Sequence, residues 1–440
     1  MNKYLFIDNF RGFTDTYVPL VDVNFLVGEN STGKTSLLGL VKLFASPKLF
    51  VGFGDPSDDS PFGHFNEMVS AHSDDRSYFR IGFVDEQSSH KKNHPSVSGM
   101  LLTYTERDGL PELSMFTCAA NGRGMHVRFA SDKTWFKIID TESVSTTEAM
   151  TGVMPHWAAV HANRDDEGWT ELELPVGFPV TGIPLFVLFS LVSQAVAAKD
   201  KKNSAMMPMF APFFGAALVW IAPIRTKPRR TYDEPQNISF SSEGEHTPYL
   251  IKRILEAGGS EARDFRKFMA QAGSSSGLFQ SVKINRFGKG STAPFEVDAM
   301  IDGKPLSLST VGYGVSQALP ILVELSARPT GAWFAIQQPE VHLHPRAQAS
   351  LGDAFFEMAV ADDKRFLIET HSDFAIDRFR LNYRKSSNKK PNSQVLFFER
   401  RDKHNTVTSL PINSQGELPS DQPDSYRCFF IKEEINILGL

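Results

Sequence analysis

A single stretch, Phe25-Leu26-Val27-Gly28-Glu29-Asn30-Ser31-Thr32-Gly33-Lys34-Thr35-Ser36, sets the tightest limits on how this chain can fold. From Gly28 to Thr35 it has the G-x-x-x-x-G-K-[ST] spacing of a phosphate-binding loop. An apolar strand, Val23 to Val27, is predicted to run in, and an apolar helix, Ser36 to Phe44, to run out. Each residue type has a physical task. The glycines let backbone N–H groups of the loop, those of Asn30, Ser31, Thr32 and Gly33 among them, converge on a triphosphate. The helix start at Thr35 and Ser36 adds partial positive charge. Lys34 is expected to reach the β- and γ-phosphates, and Thr35 to offer its hydroxyl to Mg²⁺. The stretch predicts binding of a nucleoside triphosphate.

The 440 residues, 41% hydrophobic and 22% charged, suit two or three domains or one large domain with insertions. A net charge of −5 argues against adhesion to nucleic acid by bulk charge, although a local basic patch stays open. Only two cysteines occur, Cys118 and Cys428, far apart and outside metal-ligand spacing. A disulfide framework is excluded, a cytoplasmic location fits, and both are expected as small buried residues. Asp8 and Arg11 cut the first apolar run short, so no signal peptide is read there. The most apolar segment, Ile183 to Ala198, is broken by Ser190, Ser193 and Gln194 and reads as a buried helix rather than a membrane span.

Along the chain, Tyr4 to Phe13 and Val18 to Val27 read as two strands leading into the loop. Gly52 to Pro61 is a loop by its turn residues. Tyr78 to Val84, Met100 to Tyr104, Arg123 to Phe129 and Trp135 to Ile139 read as strands of one sheet. Thr141 to Met209 reads as a mainly helical insertion. A strand is expected at Ala217 to Ile221, and a helical region at Thr247 to Gln271. Gly273-Ser274-Ser275-Ser276-Gly277 reads as a linker after it. From Val282 onward strands and helices alternate as in an α/β lobe. No heptad run or internal repeat is present, so no long coiled-coil arm is expected.

Three further clusters carry chemistry. Trp333 to Gln337 is an apolar strand that feeds Gln338-Pro339-Glu340-Val341-His342-Leu343-His344-Pro345, and Pro345 suits a helix start. Ser307 to Gln317, with Gly312, Gly314, Ser316 and Gln317, precedes a helix expected from about Ala318. Phe366 to Ser372 is a strand that ends in Thr370-His371-Ser372.

In this order the motifs resemble those of an ABC-type ATPase head of the group that contains SMC, RecF and overcoming-lysogenization-defect proteins. The nearest resemblance is to stand-alone AAA-labelled ATPases of bacterial anti-phage systems such as Septu, PARIS and retrons. It rests on Asn9-Phe10-Arg11-Gly12-Phe13, the phosphate loop and Ala222-Pro223-Ile224-Arg225 with Arg230 and Tyr232. Gly314-Val315-Ser316-Gln317, the Gln338 to Pro345 run and Thr370-His371-Ser372 complete it, and 141–209 lies outside.

The resemblance implies an α/β fold: a bilobed ABC-ATPase head, a P-loop NTPase sheet with flanking helices, carrying the helical insertion. The parts would be an N-terminal lobe at 1–140, the insertion at 141–209, a return strand and helices at 210–280, and a C-terminal lobe at 281–440. It also implies ATP with Mg²⁺ as ligands, held by the phosphate loop of one protomer and capped by Gly312, Gly314, Ser316 and Gln317 of a second. Gln337 and Gln338 would stand at the catalytic positions, Gln337 together with Thr35 at the metal. His371 would sense the γ-phosphate, and Leu343-His344-Pro345 would connect the two sites of a homodimer or higher oligomer. The neighbourhood Phe65-Asn66-Glu67 is a candidate for the loop that reaches Mg²⁺.

One departure stands out: the family pattern puts an acid where Gln337 stands, and often a second at Gln338. An amide gives Mg²⁺ no charge and accepts no proton, and loss of a general base typically slows a reaction about 10²–10⁴-fold. Gln337 is read either as natural, in a slow hydrolase, or as an engineered Glu→Gln exchange. Glu340 is expected past the strand end.

Blander readings apply elsewhere. His342 and His344 fit turn and helix-start roles better than a metal. The basic runs Arg225 to Arg230, Arg384-Lys385 and Lys389-Lys390 are solvated faces by default, with nucleic-acid binding as the sharper alternative. Met206, Met207 and Met209 suit packing. No nuclease site or TOPRIM-like acidic cluster is found. The function expected is therefore ATP-driven dimerisation that regulates a separate effector nuclease in anti-phage defence. A DNA-repair or chromosome-handling ATPase and a nucleotide-glued scaffold are the alternatives. No membrane association is expected.

Overall fold

The computed structural model describes residues 2–46, 49, 63–87, 96–120, 123–130, 133–140, 168–174, 184–199, 218–233, 239–288, 290, 293–387 and 389–430. Sheets and helices alternate through these residues, so the α/β class read from the sequence holds. Two compact units emerge from the contacts. The first comprises Met1–Val21, Glu29–Ala216 and Phe398–Ser409, and the second Asp22–Gly28, Ala217–Phe397 and Leu410–Leu440.

The first unit is built on an eight-stranded antiparallel sheet. Its strands are β1 (Asn2–Asp8), β2 (Thr16–Leu20), β4 (Tyr78–Gln87), β5 (Ser96–Arg107), β6 (Leu110–Ala120), β7 (Arg123–Phe129), β8 (Thr134–Asp140) and β9 (Thr170–Leu172). They run in the order β2-β1-β4-β5-β6-β7-β8-β9, and β3 (Val23–Gly28) belongs to the second unit. Period-2 burial explains the strands: Phe79, Ile81 and Phe83 of β4, and Met100, Leu102 and Tyr104 of β5, all point inward. Strand β6 was not anticipated. Asp108 and Gly109, with φ of 52° and 79°, form the two-residue hairpin turn that sets its register against β5. Helix α1 (Lys34–Ala45) buries Leu37, Leu38, Leu40, Val41 and Phe44. Short α2 (Phe65–Met68) and α3 (Leu185–Lys199) are the other helices described in this unit.

Of the expected insertion at 141–209, the described pieces are α3 and the β9 strand, which pairs with β8. The remainder, Met206, Met207 and Met209 included, lies outside the described residues, as does the expected loop Gly52 to Pro61. No described helix is long and apolar enough to cross a membrane.

The second unit carries a six-stranded sheet in the order β10-β14-β15-β3-β16-β17, with β10 (Leu218–Ile221), β14 (Trp333–Gln337), β15 (Arg365–Glu369), β16 (Ser393–Arg401) and β17 (His404–Ile412). From β10 to β3 the strands are parallel. Buried on both faces, they read as unbroken apolar runs, Phe334-Ala335-Ile336, Phe366-Leu367-Ile368 and Phe25-Leu26-Val27. Asn24 is the polar exception in β3. It is satisfied by donating to the Phe366 carbonyl at 3.0 Å and accepting from Gln394 at 2.7 Å. A three-stranded antiparallel sheet, β11 (Ser281–Arg286), β12 (Phe295–Ile301) and β13 (Lys304–Ser307), and helices α4 (Thr247–Ala257), α5 (Gly259–Ser276), α6 (Tyr313–Ala327), α7 (Pro345–Ala361), α8 (Asp373–Lys385) and α9 (Asp424–Phe429) complete it.

Several expectations are corrected. Val18 to Val27 is not one strand: the chain leaves β2 at Leu20 and enters a different sheet at Val23. The segment Gly273 to Ser276 is no linker. It is the last turn of α5, and Gly277, at φ 73°, caps it by donating to the carbonyls of Gly273 and Ser274. Its small residues allow close packing: a Cβ on Gly273 would lie 2.4 Å from the Phe279 ring. Helix α6 begins at Tyr313 rather than near Ala318. Cys118 is buried as expected, but Cys428 is exposed on α9 because Tyr426 is that helix's buried residue.

Helices α7 and α8 meet at Gly352, where an added Cβ would lie 2.2 Å from the Ala375 carbonyl oxygen. Gly352→Ala is therefore expected to lower stability by roughly 1–2 kcal/mol, overpacking outweighing the helix-propensity gain. Urea denaturation of the two proteins checks this.

Candidate functional site

In the first unit, the phosphate loop is held open by backbone shape. Ser31 and Gly33 have φ of 63° and 97°, and a Cβ on Gly33 would meet the Phe13 ring at 2.3 Å. Only glycine fits there. Lys34 Nζ donates to the Glu29 carbonyl at 2.7 Å, and Thr32 Oγ1 donates to the same oxygen at 2.7 Å. Asn30, Ser31 and Thr35 are exposed, whereas Thr32, Lys34 and Ser36 are buried. The start of α1 has no side-chain cap and no acid in its first turn, so no acid of the helix itself opposes an anion there. These donors suit a triphosphate. Arg400 was missed by sequence reading. Its guanidinium donates to the Ser31 carbonyl at 2.9 Å and to Asn405 Oδ1 at 3.3 Å, and Asn405 in turn donates to the Arg11 carbonyl at 2.9 Å. No local pattern marks this arginine, because it comes from β16, far along the chain. The Phe65-Asn66-Glu67 candidate lies on α2, with Phe65 in the core and the other two exposed.

In the second unit, the parallel strands deliver their carboxyl ends to one edge, where open α/β sheets take ligands. Strand β15 lies between β14 and β3, and Gln337 pairs with Glu369, which pairs with Leu26, two residues before Gly28. Gln337 Nε2 donates to Glu369 Oε2 at 3.1 Å. Gln338 takes φ 42°, held by its N–H donating to the Glu369 carbonyl at 2.7 Å. Glu340 lies past the end of β14, as expected. Its carboxylate accepts from Thr370 Oγ1 at 2.8 Å and from the His371 N–H at 2.7 Å, so it holds the loop that carries exposed His371. Ser372 caps α8 by accepting from the Ala375 N–H at 3.2 Å and donates to Gln348 at 2.7 Å. His342, at φ 63°, and His344, the cap position of α7, have the turn and helix-start roles expected of them.

Behind this edge sits Arg225, 3% exposed. Its guanidinium donates to the carbonyls of Gln317 at 3.2 Å, Gln337 at 3.1 Å and Gln338 at 3.3 Å. Burial pulls its pKa down to about 10, the Glu340 carboxylate opposing, so it stays charged at neutral pH. Arg225 is thus a structural tie and is withdrawn from the basic run read as a possible nucleic-acid grip, whereas Arg229 and Arg230 are exposed. Gln317 likewise departs from expectation. Its amide accepts from the Arg225 N–H at 3.2 Å and donates to the Arg225 carbonyl at 3.1 Å, so it faces inward. Ser316 turns its hydroxyl back to the Tyr313 carbonyl at 2.9 Å. Both follow from α6 starting at Tyr313, which leaves Gly312, exposed, and Gly314, half-buried, as the accessible parts of the motif. Helix α6 is braced further by Glu324, which binds His246 and Arg328, each at 2.5 Å.

Among the described residues no group of three or more His, Cys, Asp or Glu could hold a metal ion alone. Mg²⁺ usually takes one or two carboxylates together with phosphate oxygens and water.

Arg225→Met is expected to destabilise the protein by about 2–4 kcal/mol, since it strands three buried carbonyls. Arg225→Lys should recover little, because an ammonium lacks the planar fork. Chemical denaturation of the three proteins measures both.

Two family profiles match the chain. Residues 1–92 match the family described as "AAA ATPase domain", and residues 234–377 match the one described as "AAA domain, putative AbiEii toxin, Type IV TA system". Among curated proteins none matches. Of the solved structures it is similar to, one is an Smc head bound to the C-winged helix domain of ScpA, at 11% identity and TM-score 0.45 over 94% of this chain and 98% of that one. Another is the SMC head domain from Thermotoga maritima, at 10% identity and TM-score 0.36 over 93% and 98%. A third is the recombination mediator protein RecF with ATPrS, at 10% identity and TM-score 0.30 over 92% and 98%. Both profile matches are thus to AAA-type ATPase domains, one over the phosphate loop and one over the strand-end cluster.

Proposed function

We propose that this protein binds ATP with Mg²⁺ and that two copies close around the nucleotide. The observation that carries the reading is the phosphate loop: a left-handed Gly33 packed on Phe13, a buried Lys34, and a helix start without acid or side-chain cap. Lys34 and the loop N–H groups would hold the phosphates and Thr35 the metal. By motif order, Gln338 would take a catalytic position and His371 the γ-phosphate-sensing one. Capping in trans is supported by the start of α6, where Gly312 is exposed, its added Cβ would meet nothing within 4 Å, and the first turn bears no acid. The energetic logic is a population shift, because ATP favours the closed state through contacts made to both copies.

We extend this to control of a separate effector, a nuclease, in anti-phage defence. That extension rests on the motif order in the sequence and is an argument by analogy. The second reading, an ATPase that handles DNA directly, is favoured by exposed Arg229 and Arg230. Salt-dependent DNA binding that is lost on changing both would support it.

Lys34→Ala is expected to weaken ATP binding roughly 10–100-fold, the loss of a charge-assisted contact. Gly312→Glu should fold normally, bind ATP as one copy, and fail to dimerise. Mixing the two variants should restore ATP-dependent dimers, because one site of each mixed pair keeps an intact phosphate loop and an intact α6 start. Sedimentation with ATP reads this out. Absence of ATP binding to the unaltered protein, or dimers unaffected by either change, overturns the proposal.

A further inference from the structure

We infer that the second unit holds a binding site for a small phosphate ester, in a cavity between the chain after β10, the start of α4 and the first turns of α6. This goes beyond the nucleotide reading and does not rest on it. The cavity measures about 90 Å³, and all its lining residues belong to the second unit. It has room for several waters or for one tetrahedral oxyanion with a short organic tail, and too little for a nucleic-acid strand.

Two hydroxyls in its wall stand without partners. Thr247, 2% exposed, and half-buried Thr226 each carry a side-chain oxygen that is shut off from bulk water. Among the described residues neither oxygen has a hydrogen-bond partner. Leaving a buried hydroxyl unsatisfied is unfavourable, so a pair of them around one cavity marks a place that something else completes. Tyr232 adds a third hydroxyl. It accepts from the Arg229 N–H at 3.0 Å, which leaves its own proton to donate. Gly244, at φ 84°, keeps the space beside Thr247 open: an added Cβ would lie 3.2 Å from Thr247 Oγ1 and 2.8 Å from the Pro320 ring.

Charge selects an anion. Exposed Lys227 and Arg229 line the cavity, opposed by a single acid, exposed Glu245. Among the described residues neither cation is held in an ion pair. The first turn of α4 bears no acid, so its partial positive charge adds to theirs. Three hydroxyls and two cations match the several strong acceptor oxygens of a phosphoryl group. Leu308 and Leu319 give the apolar wall that the carbon part of an ester needs.

The test uses the full chain with Lys34→Ala, which removes the cation of the phosphate loop. Methyl resonances of Leu308 and Leu319 are followed while phenyl phosphate, inorganic phosphate or acetate is added. Both phosphates should give saturable shifts, the ester at lower concentration, and acetate none. Thr247→Val should weaken binding of the ester roughly 10–100-fold, the loss of a hydrogen bond to a charged group. Its melting temperature without ligand should equal or exceed that of the parent, because no bond of the free protein is removed. Lys227→Ala combined with Arg229→Ala, both at exposed positions, should abolish the shifts, and Glu245→Gln should tighten binding. Absence of a saturable shift with phenyl phosphate overturns the inference, as do equal shifts with acetate. Parent-like affinity in Thr247→Val or in the folded double variant overturns it too. If Thr247→Val fails to fold, the double variant decides alone.

Discussion

Burying a guanidinium is unfavourable unless its hydrogens find acceptors, and the second unit is organised around one that does. Arg225 reaches three main-chain carbonyls, those of Gln317, Gln337 and Gln338, while its own backbone is gripped by the Gln317 amide. Main-chain acceptors do not depend on which side chains occupy those positions. The tie therefore fixes the first turns of α6 to the turn after β14 and leaves Gly312 and Gln338 at liberty to be chosen for other reasons. Among the described residues its Nε has no hydrogen-bond partner, so the grip is strong but not complete.

A second layer of order comes from Glu340. One carboxylate accepts from a hydroxyl and a backbone N–H of the loop after β15, so the turn after β14 and the residue before exposed His371 are positioned together. Ser372 and Gln348 continue the chain of contacts to the Leu343 carbonyl at 2.8 Å. Short polar links of this kind hold loops that the apolar core does not reach. A shift in one would be felt in the others, because Glu340, Ser372 and Gln348 each make two of these links.

The sequence was most legible where local pattern and chemistry coincide. The phosphate loop, the buried parallel strands and the strands of the antiparallel sheet follow from glycine spacing and apolar periodicity. Strand boundaries were less legible. Val18 to Val27 is apolar but for Asp22 and Asn24, and a single aspartate does not by itself say that the chain changes sheets there. Strand β6 went unread although Asp108-Gly109 marks its turn, because Pro111, Glu112 and Ser114 dilute its apolar pattern. The Gly-Ser run ending at Gly277 looked like a linker because composition alone cannot reveal that Phe279 needs small neighbours. Contacts between distant residues were out of reach. The inward turn of Gln317, the pairing of Gln337 with Glu369, and the approach of Arg400 to Ser31 are separated by 92, 32 and 369 positions.

Gln338 sits with φ at 42°, in the left-handed region that glycine enters freely and other residues enter at a penalty of roughly 1–2 kcal/mol. A glycine would relax that turn and keep both main-chain bonds that shape it, the one from its N–H to Glu369 and the one from Arg225 to its carbonyl. What glycine would forfeit is the amide itself. Backbone comfort and side-chain chemistry pull in opposite directions at this position, and the chain has settled for discomfort.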